Sequence, residues 1–446
     1  MTWVPSTEED IQHMLQIIGV QTIEELFQDI PQELQLKSWN IPKGISEPEA
    51  YQFLKRLSGR NQTNTISFLG GGIYDHYIPA VVDSLSQRGE FLTAYTPYQP
   101  ECAQGTLQAI YEYQTALCRL TDMEVANASL YDGGTALFEA VTMAVRITGR
   151  RKIHILDGLN PIYEQMLRTH TANLDLEIEY SKQPKDCACV IGATPDFFGN
   201  MHDFSELAKQ CHEAGTLLVV QFYPIALGIM KTPGEMGADI AIGEGQGLGL
   251  PLGFGGPYLG LFATRKEYIR KMPGRITAMT VDKQGNRGFV LTLQAREQHI
   301  RREKAMSNIC SNQAWCALRA LIYLCEVGKH GLTEIAKHCY WKSEYLKQEL
   351  SKFVPVVNSS LTFNEFVVRL PMPAEKAIEQ LKEQNILAGI PLKSFFESCK
   401  LTSPRKDVNG NVYGEVGDIL IAVTEKRTRI ELDLFVEALR KVLTKE

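Results

Sequence analysis

The 446-residue sequence has no C-x-x-C pair, no G-x-G-x-x-G, no Gly-Lys-Ser or Gly-Lys-Thr step, and no long unbroken apolar run. The first absence argues against a structural zinc knuckle or a thioredoxin-like redox pair. The ten cysteines are scattered, many in apolar settings such as Tyr323-Leu324-Cys325 and Ala116-Leu117-Cys118, and read as buried free thiols. Cys187-Ala188-Cys189 offers too few ligands for a metal, and no metal site is expected. The missing glycine fingerprints disfavour the usual NAD and ATP sites. The longest uncharged stretches, Ala214 to Met230 and Gly245 to Thr264, are interrupted by Gly, Pro or Gln, so neither reads as a spanning helix. Positive charge is also scarce: 46 Lys plus Arg face 52 Asp plus Glu, a net charge of −6. The longest basic clusters are Gly149-Arg150-Arg151-Lys152 and His299-Ile300-Arg301-Arg302, too little for a nucleic-acid or anionic-membrane partner. The acidic start Glu8-Glu9-Asp10 lacks the basic and apolar blocks of a signal peptide, so a cytoplasmic location is expected.

What is present is an ordinary globular composition, 44 % hydrophobic and 22 % charged, with length for two or three domains. Residues 1–64 read as an amphipathic helical arm, with apolar residues at three- and four-residue steps in Glu8 to Leu15 and Ile23 to Leu34 and a cap at Ser6-Thr7. From 65 to 330, short apolar runs alternate with helical periods. The runs are Thr65 to Leu69, Ala128 to Leu130, Lys152 to Leu156, Leu176 to Tyr180, Ala188 to Ile191 and Leu217 to Phe222; helices are expected over Thr135 to Ile147 and Ser205 to Ala214. This pattern predicts a mostly parallel sheet covered by helices, with ligands at the carboxyl ends of its strands. Residues 331–446 read as a smaller α/β domain: a helix from Leu332 to Leu350 or beyond, a strand Phe363 to Leu370, a helix Ala374 to Gln384, a strand Asp418 to Val423 and a helix Ile430 to Leu443.

Three segments look chemical. Eight of the 35 glycines fall between Gly243 and Gly260, a density that implies backbone pressed against a ligand, a facing subunit or a tight strand connection. Asp132-Gly133-Gly134-Thr135 joins a strand to a helix, where free amides can receive a phosphate or where Asp132 or Thr135 is simply the cap. Thr93-Ala94-Tyr95-Thr96-Pro97-Tyr98-Gln99-Pro100-Glu101 is a stiff loop bearing hydroxyls, more typical of a site or an interface than of a bare surface turn.

The same residues carry a resemblance. Phe91 to Glu101, Gln104-Gly105-Thr106-Leu107-Gln108-Ala109, Tyr111-Glu112-Tyr113-Gln114-Thr115 and Gly253-Phe254-Gly255-Gly256-Pro257-Tyr258-Leu259-Gly260 resemble the N-terminal half, or subunit 1, of the glycine cleavage system P-protein family (glycine dehydrogenase, decarboxylating), over essentially the whole chain. The resemblance implies an aspartate-aminotransferase-type fold, with a large domain around a mainly parallel seven-stranded sheet and a small C-terminal domain. It also implies chemistry based on pyridoxal phosphate: a Lys joined to the cofactor, an acid on the preceding strand paired with the pyridine nitrogen, decarboxylation of glycine, and transfer of its aminomethyl group to the lipoyl arm of H-protein.

Aligned on that pattern, Gln246 stands near the place of the cofactor Lys, and Gln221 or Tyr223 where the ring acid belongs. Asp132 in the presumed phosphate loop points the same way. The resemblance therefore implies a subunit holding no pyridoxal phosphate and no metal of its own, acting in a heteromer with two copies each of subunit 1 and the cofactor-bearing subunit 2, with H-protein and glycine as further partners. Tyr95, Thr96, Tyr98 and Gln99, with Gly71, Gly72, Tyr74 and His76, are the candidates for loops offered to the partner's pocket. Two other readings stay open: a self-contained pyridoxal-phosphate lyase or aminotransferase using Lys231 or Lys266, and a catalytically silent scaffold.

Overall fold

The computed structural model describes residues 5–36, 38, 40–401 and 404–444, and the chain divides into two compact units, Met1–Thr63 and Asn64–Glu446. In the first, helix α1 (Glu8–Ile18) starts at Thr7, whose hydroxyl accepts from the Asp10 N–H while the Asp10 carboxylate accepts from the Thr7 N–H, and stops at Gly19. The continuous helix expected over Ile23 to Leu34 does not form. Only the single turns Glu24–Phe27 and Gln32–Leu34 appear, because Pro31 has no N–H to give and its ring collides with the preceding turn. A second helix, α2 (Glu47–Ser58), falls within the span read as helical, though the sequence reading gave it no bounds; the Ser46/Glu49 capping box starts it. Among the described residues of this unit Leu15 is the one buried hydrophobic side chain, while Ile17, Ile18, Leu26, Phe27, Phe53 and Leu54 among others are exposed.

The second unit opens with β1 (Ile66–Ser67). Its centre is a seven-stranded sheet of β2 (Val125–Ala126), β3 (Lys152–Ile155), β4 (Glu177–Tyr180), β5 (Cys189–Thr194), β6 (Leu217–Phe222), β7 (Ile240–Glu244) and β8 (Gly260–Thr264), in the order 2-8-7-6-5-3-4. Strands β3 to β7 are parallel; β8 runs antiparallel to β7 and to β2. Central strands such as β5 and β7 are buried along their whole length, as expected of a sheet with both faces covered. One face packs on Leu137, Ala140, Val141 and Ala144 of a helix, here α5 (Gly133–Thr148), with α3 (Ala80–Ser86) and α4 (Gln104–Thr121) preceding it. Helix α6 (Pro161–Thr171) lies beside α5, and α7 (Ser205–Glu213) packs on β6. A hairpin of β9 (Ile276–Val281) and β10 (Arg287–Thr292) follows.

The expected helix from Leu332 belongs to a longer element, Ala314–Ser351, kinked at Gly328, where φ 58° and ψ −175° interrupt the helical backbone. Beyond it, β11 (Glu365–Arg369), β12 (Ile386–Leu387), β13 (Ile390–Pro391), the small hairpin β14 (Arg405–Lys406) and β15 (Val412–Tyr413), and β16 (Asp418–Ala422) follow the expected α/β pattern. The antiparallel sheet runs β11-β16-β13; β12 pairs in parallel with β1 as a separate two-stranded sheet, and the Phe68 carbonyl accepts from the Ala422 N–H of β16 at 2.9 Å, so the chain just before the first glycine turn is tied to the C-terminal elements. All ten cysteines are free thiols, six of them buried. Among the described residues no helix is long and apolar enough to cross a membrane.

Candidate functional site

The parallel strands end at one edge of the sheet, and there β6, β7 and the start of α5 converge on Glu244, the last residue of β7. Its side chain is 6 % exposed. Its Oε2 accepts from the Gly133 N–H at 3.0 Å, and its Oε1 from the N–H of Gln246 at 2.9 Å and of Leu259 at 3.1 Å. The Asp132 carboxylate accepts from Thr135 N–H at 2.7 Å. Two of the amides that a helix start leaves unpaired are thus taken by acids of the same chain. Tyr163 of α6 covers them: a Cβ on Gly133 would lie 2.8 Å from its hydroxyl oxygen, which is why glycine stands there. Burial pushes the Glu244 carboxyl up to about 8, against the pull of its three backbone donors.

Opposite lies the glycine turn of residues 70–77. The Gly71 N–H donates to Glu365 Oε1 and the Tyr74 hydroxyl to Glu365 Oε2, both at 2.6 Å. Burial lifts Glu365 to about 7 even so. Asn160 holds the Gly71 carbonyl at 2.9 Å. Gln246 is 2 % exposed; its Oε1 accepts from the Tyr74 N–H at 3.0 Å and its Nε2 donates to the Leu250 carbonyl at 2.9 Å. His76 bonds through Nδ1 to Glu425 at 2.6 Å and through Nε2 to the Tyr223 hydroxyl. Cys339 completes this group by donating to Glu425 at 3.5 Å. Among the described residues it is one cluster of His, Cys and carboxylate whose ligand atoms lie within 4.8 Å of one another, and hydrogen bonds account for its spacing.

Of the sequence candidates, Gly71, Gly72, Tyr74 and His76 are therefore engaged inside this chain, Tyr74 with Gln246 and Glu365, Gly71 with Glu365 and Asn160, Gly72 beside Asn160, and His76 with Glu425 and Tyr223. Tyr74 and His76 are each 6 % exposed, with their polar atoms engaged. Tyr95 and Thr96 line a different pocket, with Arg275, Tyr113 and the start of the Ala314–Ser351 helix; Tyr98 meets Arg275, and Gln99 is exposed. Tyr95 is 78 % and Tyr98 44 % exposed; Tyr95 bonds to Ser311, and Tyr98 accepts from Arg275 at 3.2 Å. The Thr96 hydroxyl is buried without a hydrogen-bond partner.

The residues at the sheet edge do not fit pyridoxal phosphate. The cavity lined by Gly72, Tyr74, Tyr163, Gln221, Glu244 and Glu365 among others has a volume of about 30 Å³, room for a water or two. Its walls carry Glu244, Glu365 and Asp196, buried acids that offer no positive charge to an anionic cofactor, and no lysine lines it. Gln221, one of the two residues expected where the ring acid belongs, leaves its Oε1 buried and unpaired. Lys231 is exposed and held by Asp203 at 3.2 Å; Lys266 is exposed beyond the far end of β8. Sequence reading passed over Glu244, Glu365, Asn160 and Tyr163. The available signal was an acid inside an apolar strand, as in Ile240-Ala241-Ile242-Gly243-Glu244, which demands a reason for burial.

Comparison with known proteins completes the description. Residues 1–439 match the family model of the glycine cleavage system P-protein. A relative from Geotalea daltonii, named probable glycine dehydrogenase (decarboxylating) subunit 1, is 49 % identical over 459 residues, covering 99 % of this chain and 100 % of the relative. The inhibitor-bound crystal structure of a glycine decarboxylase (P-protein) of the glycine cleavage system superposes with a TM-score of 0.90 at 39 % identity, covering 99 % of this chain and 100 % of that one. Glutamate decarboxylase from Lactobacillus brevis shares the fold alone, with a TM-score of 0.65 at 12 % identity over 94 % of this chain and 97 % of that one.

Proposed function

This chain belongs to the glycine cleavage system P-protein family, and from that premise we propose that it is the subunit of a decarboxylating glycine dehydrogenase that holds no pyridoxal phosphate itself. The cofactor, the decarboxylation of glycine and the aminomethyl transfer to the lipoyl arm of H-protein belong to a pocket on subunit 2, in a cytoplasmic assembly with two copies of each subunit. The observation that carries this reading is Gln246, a buried amide with both ends hydrogen-bonded, standing where the resemblance calls for the cofactor lysine. An amide has no basic nitrogen with which to join an aldehyde.

Within this reading Tyr95, Tyr98 and Gln99 are the exposed residues offered to the partner's pocket, with Thr96 behind them. Gly71, Gly72, Tyr74 and His76 shape the loop from inside. The apolar side chains left uncovered on the arm, Ile17, Leu26, Phe27 and Leu54 among them, support a role in gripping another subunit. A division of residues 64–446 near 330, close to the Gly328 kink, fits a small C-terminal domain.

Glycine–bicarbonate exchange measured with each subunit alone and with both together tests the assignment. Activity is expected only from the mixture, with borohydride reduction leaving no pyridoxyl group on this chain. Exchange by this chain alone, or a pyridoxyl-lysine at Lys231 or Lys266, overturns it.

A further inference from the structure

The three amides around Glu244 come from separate places: the start of α5, the turn after β7 and the strand connection before β8. They converge from these places on a single carboxyl group. One of them, Gly133, opens a 16-residue helix; a helix start, and backbone N–H groups gathered from loops around one point, are arrangements that receive a phosphate elsewhere in protein structure. Here the seat is occupied by the chain's own side chain. Tyr163 closes it from above, and the remaining cavity holds about 30 Å³.

We propose that Glu244 is a built-in substitute for a phosphate: an internal ligand that satisfies the anion-binding amides of this fold, so that the sheet edge is complete without a cofactor and closed to one. The inference rests on the reading that this chain carries no pyridoxal phosphate, and it adds the residue responsible. Gln246 accounts for the loss of covalent attachment. Glu244 accounts for the loss of the anchoring site, and it does so by occupation, since the three donors are still in place. Shortening residue 244 therefore exposes a latent anion seat. The space vacated by a carboxymethyl group adds to the adjoining cavity.

The test uses the full-length chain as Glu244→Ala, with Glu244→Gln as the variant that keeps the seat filled and Glu244→Ser as a second opening variant should Glu244→Ala fold poorly. Inorganic phosphate is the probe, with sodium chloride at matched ionic strength as the control. Thermal unfolding and phosphorus NMR line width report binding. The expected result is a saturable phosphate-dependent rise in Tm and line broadening for Glu244→Ala or Glu244→Ser, at least ten-fold stronger in affinity than for wild type or Glu244→Gln. If the variant refolds poorly, phosphate in the refolding buffer raises its yield. A folded Glu244→Ala or Glu244→Ser whose response to phosphate equals that of wild type overturns the proposal, as does a refolding yield indifferent to phosphate in both. Uptake of pyridoxal phosphate by the wild-type chain is a separate outcome: it overturns the cofactor-free reading, and the proposal with it.

Discussion

Replacing Glu244 by Gln should change how the stability of the chain depends on pH. Burial raises this carboxyl from 4.5 to about 8 in the folded protein. A folded pKa above the unfolded one means that the folded state holds the proton more tightly. The stability it contributes is therefore fully present below the unfolded pKa and is lost as pH rises through the folded one. Between pH 5.5 and 7.5 the loss is about 1.4 kcal/mol per pH unit, and between pH 5 and 8.5 it sums to about 4 kcal/mol from this one group. Glutamine does not titrate, so the variant lacks this component. It incurs a separate, pH-independent cost: its amide offers one acceptor oxygen where the carboxyl offered two, leaving an amide among Gly133, Gln246 and Leu259 unpaired, a loss of about 1–3 kcal/mol. The two stability curves should then cross, with wild type the more stable at pH 5 and the variant equal or better at pH 8.5. Urea unfolding followed by circular dichroism at half-unit pH steps reads this directly. Parallel curves would refute the reasoning, since they would mean that Glu244 is ionised in both states throughout. Glu139 and Glu365, both raised to about 7 by burial, give slopes of the same sign in both proteins and cancel in the difference.

Other consequences are simpler to state. Gln246→Lys alone should not create a cofactor site, because Glu244 and Tyr163 still fill the phosphate position; borohydride reduction with added pyridoxal phosphate should leave residue 246 unmodified, and a pyridoxyl adduct there would count against the occupied-seat argument. Tyr74→Phe removes the 2.6 Å bond to Glu365 and should cost about 1–3 kcal/mol, more at pH 8 than at pH 5 because that bond favours the charged carboxylate; equal costs at the two pH values would contradict it. Tyr95→Phe and Tyr98→Phe should lower the exchange rate of the reconstituted heteromer while co-purification with subunit 2 is unaffected. Unchanged kinetics would reduce these tyrosines to packing.

Much of the architecture was legible because it is local. The apolar run Leu217 to Phe222 became β6 without adjustment, and the helices at Gly133–Thr148 and Arg429–Thr444 fall within two residues of their periodic patterns. Misreadings occurred where one residue overrides a pattern. Pro31 breaks an otherwise helical period, and the glycine-dense window hid the fact that its first residues, Gly243 and Glu244, finish strand β7. The β9–β10 hairpin went unread because β9 does not alternate: its first two residues are buried and its last three exposed.

The site divides along the same line. Sequence by itself determined that residue 246 is a glutamine and not a lysine: this is a matter of residue identity, and no packing turns an amide into an amine. It also determined that Tyr95 and Tyr98 sit in a stiff proline loop. Only the tertiary structure decided what fills the space left behind, because Glu244 meets Gly133 across 111 residues and Glu365 meets Gly71 across 294. Hydrogen bonds of that reach exist only once the sheet has brought its strand ends to one edge, and whether an acid there is a surface charge or an internal ligand depends on the donors the fold places around it.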